Sequence, residues 1–328
     1  MGHIVRAVSI ARAIRKRLGI DPTIIASSAF SFLLKKKYFR FEIIEPGGDG
    51  DLYREKILNK LRELAPTLLV VDALPMGLMG ELGRFFSAYR CRKALIARRL
   101  RRDYCRAGVI GQFVRANYDL VIKAEKIPDD EFIHSNAIEI PPVLPCSGNE
   151  ILSRTEARRR LAVPKNKFLV MAISTLNPSD TDKFFEMTYD TLMKVGNREV
   201  AIKFASPYGD KSPSSAHTSY FPLMKLMRGV DMVVGHGGYH LIHETRALDV
   251  PFAAIPIKKL YDDQESRVAA YSSETLMPFK SAIELENIFK RFLGKRKIKR
   301  TKPRFVNGAI EAANEILTLS KLSQVDFN

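Results

Sequence analysis

Between Asp231 and Gln264 the chain gathers residue types suited to holding an anion and a polyol. The run Gly235-His236-Gly237-Gly238-Tyr239 follows an apolar stretch and leads into a helical pattern. It therefore reads as strand, glycine turn and helix, with a second strand after Pro251 and a polar loop at Tyr261-Asp262-Asp263-Gln264. Gly237 and Gly238 let the backbone turn sharply and approach a ligand closely. A helix that opens at Tyr239 presents N–H groups and the positive end of its dipole, which makes an anion site. Glu244, less than two turns further on, is a carboxylate able to accept hydrogen bonds from hydroxyls, and Pro251, Pro256 and the pair Asp263-Gln264 complete the pattern. Ser174 and Thr175, after another apolar run, offer hydroxyls and N–H groups to a phosphate.

A second set lies near the start. His3 opens an amphipathic helix, where a neutral imidazole can serve as a general base. Asp72 ends an apolar strand and reads either as a base or as the N-cap of the segment after it. Arg6, Arg98 and Arg99 are candidates for the acceptor side. His236, His240 and Glu244 fall at four-residue spacing, but the glycines put His236 outside the helix and no cysteine or further ligand stands at metal spacing, so no metal is expected. Asp49-Gly50-Asp51 matches an Asp-x-Asp pattern, yet Pro46-Gly47-Gly48 before it marks an ordinary turn.

The elements that must carry these residues alternate between helix and strand. Ile4, Val8, Ala11, Ile14 and Leu18 recur at helical spacing and predict a helix over 3–18. Strands follow at 23–27 and 41–44, a helix at 53–64, and strands at 67–71, 94–97, 120–122 and 137–140. The 67–71 run has no polar alternation, as a parallel sheet covered on both faces requires. Prolines at 141, 142 and 145 stop the series and mark a linker. The second half repeats the scheme, with helices at 154–161, 180–195, 239–248 and 282–293 and strands at 168–173, 200–205, 230–234 and 252–257. A last helix is predicted over 306–319. The division is thus a first domain at 1–143, a second at 144–302, and a C-terminal helical segment at 303–328 that packs back toward the first domain. The expected class is α/β: two Rossmann-like parallel-sheet domains, with ligands in a cleft outside the carboxyl ends of the strands.

At this point the sequence resembles the nucleotide-sugar glycosyltransferases of the GT-B fold, in particular family 28, which includes the peptidoglycan N-acetylglucosaminyltransferase. The resemblance is specific over 220–265 and loose elsewhere. It implies that Gly237, Gly238 and the helix opening at Tyr239 hold a donor diphosphate, that Glu244 binds the ribose diol, and that Asp263 and Gln264 contact the transferred sugar. Gly2-His3-x-x-Arg6 is similar to the end of a first-domain loop that faces the reaction centre. Asp72-Ala-Leu-Pro75-Met-Gly77 and Asn117-Tyr118-Asp119-Leu120 are similar to further segments of this group. The implied activity is an inverting, metal-independent sugar transfer from a nucleoside diphosphate sugar, UDP-linked by the family's habit, to an acceptor hydroxyl, with no cofactor. A nucleotide-sugar hydrolase or epimerase of the same fold and a non-catalytic donor-binding subunit are the alternatives. Two departures stand out. The family's first strand and longer glycine loop are missing before Gly2, so an incomplete first sheet is expected and an incomplete sequence is favoured. Where the family has a glycine-rich loop, this chain has Ser174-Thr175-Leu176-Asn177-Pro178.

Composition sets the remaining bounds. With 46% hydrophobic and 27% charged residues over 328 positions, the chain is globular and long enough for two cores. The net charge of +17 is shared, with 25 basic against 17 acidic residues in 1–150 and 28 against 19 thereafter. Eight basic residues cluster from Arg90 to Arg106 and nine from Lys290 to Arg304. Too few aromatics interleave them for a nucleic-acid platform, while clustered basic charge suits a lipid-linked or membrane-proximal acceptor. Apolar runs are too interrupted for a membrane span. The early arginines argue against a secretory signal, and Cys91, Cys105 and Cys146 are too few for a disulfide framework. The expected location is cytoplasmic, at most peripheral on the membrane's inner face.

Overall fold

The computed structural model describes residues 2–27, 39–83, 86–105, 108–127, 134–196, 199–208, 217–218, 220–293 and 305–325. The chain forms two compact units, one of Met1–Pro145, Leu260–Asp262 and Val306–Asn328, the other of Cys146–Lys259 and Asp263–Phe305. The short return of Leu260–Asp262 to the first unit is not marked by composition.

In the first unit, helix α1 (Gly2–Leu18) buries Ile4, Val5, Ile10, Ala11 and Ile14 on one face and ends in Arg15, Lys16 and Arg17, whose charges suit its C-terminal dipole end. Strands β1 (Thr23–Ala26) and β2 (Arg40–Ile43) pair in parallel. Helix α2 (Gly50–Leu64) is capped by Asp49, whose carboxylate accepts from the N–H groups of Asp51 and Leu52. The Asp-x-Asp run, read from its neighbours as an ordinary turn, is therefore the start of a helix that begins three residues before the expected position 53. Strands β3 (Leu68–Asp72), β4 (Arg92–Ala97), β5 (Leu120–Lys123) and β6 (Ala137–Glu139) form a parallel sheet in that order. A short helix α3 (Arg102–Cys105) and the helix α4 (Val109–Asn117) join β4 to β5. Side chains of β4 and β5 pack with Phe86, Val114 and Tyr118 in the core.

Among the described residues no strand joins the β1–β2 pair to the four-stranded sheet. A cavity of about 270 Å³ is lined by both, with Ile24 and Ile25 on one side and Val70 and Val71 on the other.

The last helix, α10 (Ala309–Val325), starts three residues later than its periodicity suggested and packs on α1. Its entry is pinned. Asn307 Oδ1 accepts from the Leu144 N–H at 3.0 Å, Asn307 Nδ2 donates to the Leu144 carbonyl at 2.9 Å, and a Cβ on Gly308 would lie 1.8 Å from the Pro141 carbonyl oxygen. Gly308→Ala is therefore expected to cost about 1–3 kcal/mol, the usual range for overpacking, seen as a lower midpoint in urea denaturation with an unchanged slope.

In the second unit, α5 (Arg154–Arg160) precedes a parallel sheet ordered β11-β10-β9-β7-β8, made of β7 (Phe168–Ile173), β8 (Val200–Ala205), β9 (Met232–His236), β10 (Phe252–Ile255) and β11 (Leu276–Pro278). Helices α6 (Pro178–Val195) and α9 (Ala282–Leu293) pack together beside the sheet, while α7 (Tyr239–Ala247) follows β9 and α8 (Gln264–Tyr271) follows β10. The expected strand at 230–234 is shifted, because β9 keeps its register with β10 through Gly235 and His236. The strand order reverses at β7 and β9, so the carboxyl ends of these two strands form the topological switch point where such sheets bind ligands.

Asp231 organises the opposite end of this sheet. It accepts from the Leu169 N–H at 2.8 Å, from Arg154 Nη2 at 2.6 Å and from Arg158 Nη2. Arg158 is 2% exposed and also donates to the carbonyls of Pro164 and Lys167.

Candidate functional site

Two groups of candidate residues assemble, one in each unit. In the second unit β9 runs out at His236, the Gly237 N–H donates to the Ile255 carbonyl, and α7 begins at Tyr239 behind Gly238. Gly238 has no side chain to cap the helix, and a Cβ there would meet nothing within 4 Å. Gly237 is constrained instead, since a Cβ would come within 2.4 Å of Val268 Cγ2 on α8. An uncapped helix start beside open space is an arrangement that can take an anion.

Glu244 lies on α7, 7% exposed, with Oε1 3.4 Å from His240 Nδ1. His243, buried one residue before it, stacks edge-on with Tyr239 and Tyr271. The histidines of this helix thus meet aromatic rings or the Glu244 carboxylate. Among the described residues no three His, Cys, Asp or Glu side chains converge on a point that would hold a metal.

Asp263 and Gln264 have structural work at the start of α8. Asp263 Oδ1 accepts from the Ser266 N–H at 3.0 Å, and the buried Gln264 accepts from the Ile257 N–H at 3.2 Å. Ser174 is fully buried, its hydroxyl lying 2.9 Å from Thr181 Oγ1 and 3.3 Å from His236 Nε2. Its expected role as an open phosphate ligand is corrected, because the hydroxyl sits inside a polar knot between β7, α6 and β9. Thr175, one residue on, is exposed. His236 is held down at a pKa of about 4 by burial and by the nearby Lys259 ammonium, so its ring is neutral at physiological pH.

The second group lies in the first unit, where α1 meets the carboxyl ends of β3 and β4. His3 Nδ1 is 2.9 Å from Asp72 Oδ2, and Arg6 Nε donates to Asp72 Oδ1 at 2.6 Å. Arg98, just past β4, donates from Nη2 to His3 Nε2 at 3.1 Å, and its Nη1 stands 3.3 Å from Asp262 Oδ1. A guanidinium can only donate, so Nε2 carries the imidazole lone pair and the proton sits on Nδ1, facing Asp72. Partial burial and the Arg98 charge pull the His3 pKa down to about 4 despite Asp72. Burial opposes ionisation of Asp72, but the Arg6 guanidinium and the His3 hydrogen bond outweigh it and hold the carboxyl far below its ordinary range.

Sequence reasoning named His3 and Asp72 as alternatives, and the structure makes them partners. A frayed terminal position for His3 is excluded by its two side-chain contacts. Asp72 does not act as an N-cap, since its carboxylate faces His3 and Arg6. The three arginines expected on the acceptor side have partners within the first unit. Arg6 is 1% exposed and orients Asp72. Arg99 donates from its backbone N–H to Glu125 at 2.7 Å and from Nη2 to the Lys126 carbonyl at 2.9 Å. Arg98 faces His3. Asp262 was overlooked although its neighbour was named, and only its long-range contact with Arg98 reveals it.

Part of the basic cluster from Arg90 onward is engaged within the first unit. Arg92 pairs with Asp119, Lys93 donates to the Tyr89 carbonyl, Arg98 pairs with Asp262 and Arg101 with Asp103. Arg106 and residues 294–304 of the second basic run lie outside the described residues. No described helix is long and apolar enough to cross a membrane.

No protein-family model matches the chain, and no curated protein matches it. Solved structures do. The chain is similar to Anabaena HepE in complex with UDP and glucose, with 15% identity, a TM-score of 0.56, and 100% of this chain and 96% of that one covered. It is similar to the spinosyn rhamnosyltransferase SpnG complexed with thymidine diphosphate, with 14% identity, a TM-score of 0.58, and 99% and 97% covered. A third is the Streptomyces sp. SF2575 glycosyltransferase SsfS6 complexed with thymidine diphosphate, with 14% identity, a TM-score of 0.57, and 98% and 94% covered. At these identities the likeness concerns the fold, and that fold is GT-B, two Rossmann-like units built on parallel sheets.

Proposed function

We propose that this chain is a glycosyltransferase that moves a sugar from a nucleoside diphosphate sugar to an acceptor hydroxyl, with inversion and without a metal. The observation that carries the reading is the His3–Asp72 pair, a neutral imidazole whose Nδ1–H is held by a carboxylate and whose Nε2 bears the lone pair. In the proposed step Nε2 takes the acceptor's hydroxyl proton as the oxygen attacks the anomeric carbon. The bond from that carbon to the diphosphate oxygen breaks, and the leaving group departs with the electron pair. Asp72 stabilises the imidazolium that forms. The charge growing on the diphosphate is met by the start of α7 at Gly237, Gly238 and Tyr239, whose dipole is fixed before the reaction begins. A single displacement of this kind inverts the anomeric centre.

Glu244 is assigned to the ribose diol, Thr175 to the diphosphate, and Asp263 and Gln264 to the transferred sugar through the hydrogen-bonding capacity their structural contacts leave. UDP is the proposed nucleotide. The relation to family 28 belongs to the proposal, supported by the order of glycine turn, glutamate and Asp-Gln pair. A lipid-linked or membrane-proximal acceptor does not, because Arg92, Lys93, Arg98 and Arg101 of the first basic cluster have partners within the first unit.

The test is release of UDP from a panel of UDP-sugars with and without acceptor extracts. Release that requires acceptor supports transfer, and release without it would identify a hydrolase. Tight binding with no turnover would identify a donor-binding subunit. Glu244→Ala is expected to weaken donor binding by about 1–3 kcal/mol, the value of hydrogen bonds to a charged group. Calorimetry with UDP measures this directly, and unchanged affinity would remove Glu244 from the site.

A further inference from the structure

We propose that Arg98, clamped by Asp262, is the positioning residue of the His3 base: its guanidinium occupies Nε2, fixes the Nδ1–H tautomer, and is displaced when an acceptor hydroxyl arrives. The inference rests on the reading of His3 as base and deepens it.

The geometry supports it from both sides of the ring. Asp72 accepts at Nδ1, and Arg98 donates at Nε2. Asp72 alone would tolerate a protonated ring, and a carboxylate neighbour favours that charge. A guanidinium at Nε2 disfavours it and leaves the lone pair on the nitrogen that must accept the acceptor's proton. Arg98 is itself 9% exposed, and its other Nη atom is within 3.3 Å of Asp262. Asp262 is held in turn. It forms an antiparallel bridge with Leu100, the preceding Tyr261 accepts from the Arg101 N–H at 2.9 Å, and the Tyr261 hydroxyl donates to the Leu78 carbonyl at 3.0 Å. The segment that carries Asp262 is therefore held against the chain just past β4, and through Asp262 it holds the Arg98 guanidinium.

The charged groups around the ring are Arg6 on α1, Asp72 on β3, and Arg98 after β4 with Asp262 behind it. Glu81, which shares a cavity wall with His3, is satisfied by the N–H groups of Leu78 and Met79. Arg6 already serves Asp72, so Arg98 is the cation that acts directly on Nε2. Its contact has a further consequence: the base is protected from protonation until the acceptor's O–H replaces the guanidinium.

The experiment is a histidine-ring NMR titration of the full chain, with His3 assigned by His3→Gln. The wild-type ring is expected as the Nδ1–H tautomer, titrating near pH 4. Arg98→Gln should raise that midpoint by about one pH unit, the low end of the effect of a charge within ~4–6 Å. Arg98→Lys, which restores the charge, should leave it low. The acid limb of kcat/KM should follow the same order, where turnover exists. An Nε2–H wild-type tautomer, or a midpoint unmoved in Arg98→Gln, overturns the proposal, and the first does not depend on the Arg98 variants folding. The ring signals do not depend on turnover. A normal titration response with no sugar transfer therefore refutes the transferase reading alone, and transfer with an unresponsive ring refutes Arg98 alone.

Discussion

His3→Ala is expected to lower kcat/KM for sugar transfer by about 10²–10⁴-fold, the usual contribution of a positioned general base, while leaving UDP affinity unchanged. Steady-state kinetics beside calorimetry separate the two effects. Asp72→Asn should fall in the same range, because an amide can offer its NH₂ to Nδ1 and invert the tautomer, as loss of an orienting carboxylate does in other base pairs. The double variant should be little worse than either single one, since the two residues act as a unit. The pH dependence follows from the sign of the shift. With a pKa of about 4 rather than 6.5, His3 is already deprotonated across the neutral range. Activity should therefore hold through pH 5–6 and fail only as pH drops through about 4. A limb near 6.5 would show that the ring is not in the environment described. The same ring also links to stability. Its lowered folded pKa means that the unfolded state binds the proton first, so this contribution is complete above pH 6.5 and fades as pH falls toward 4.

Asp231→Ala should destabilise the second unit by about 3–5 kcal/mol, the cost of leaving one partner of a buried pair alone. The basis is that Arg158 is almost fully buried and Asp231 is the carboxylate it faces. The variant also removes the acceptor for the Leu169 N–H at the start of β7. Urea denaturation followed by far-UV circular dichroism checks the prediction. Arg158→Met combined with Asp231→Ala should recover part of the loss, because an apolar side chain of similar length removes the stranded charge. If the double variant is no more stable than Asp231→Ala, the cost lies in the backbone contact and not in the ion pair.

Much of this architecture was written in local pattern. The apolar runs at β7 and β10 are almost wholly buried, as strands covered on both faces are, whereas β3, whose run reads the same way, leaves Leu68, Leu69 and Val70 half-buried. The turn at Gly237 and Gly238 was equally legible, since only glycine fits where α8 packs against position 237. Asp49 and Asn177 cap α2 and α6 through side chains that bond backbone two or three residues away, although apolar periodicity placed those starts later, at 53 and 180. Such signals are short in range, and the sequence contains both ends of each.

What tertiary structure alone decided is every contact whose ends lie far apart. His3 and Asp72 are 69 residues apart and Arg98 and His3 are 95 apart, so no spacing rule could convert two alternative bases into one pair or turn an acceptor arginine into the partner of Nε2. The return of Leu260–Asp262 to the first unit and the docking of Gly308 against Pro141 are of the same kind. Ser174 was misjudged because its position after a strand is a local fact, whereas its burial against Thr181 and His236 is not. The three-residue β11 escaped notice because a segment so short carries too few periods to stand out, and its pairing with β10 is what fixes it. Local pattern chose the elements and the glycine turn. Long-range packing chose which charged side chains meet, because the cost of burying a charge without a partner is set by neighbours that only the folded chain supplies.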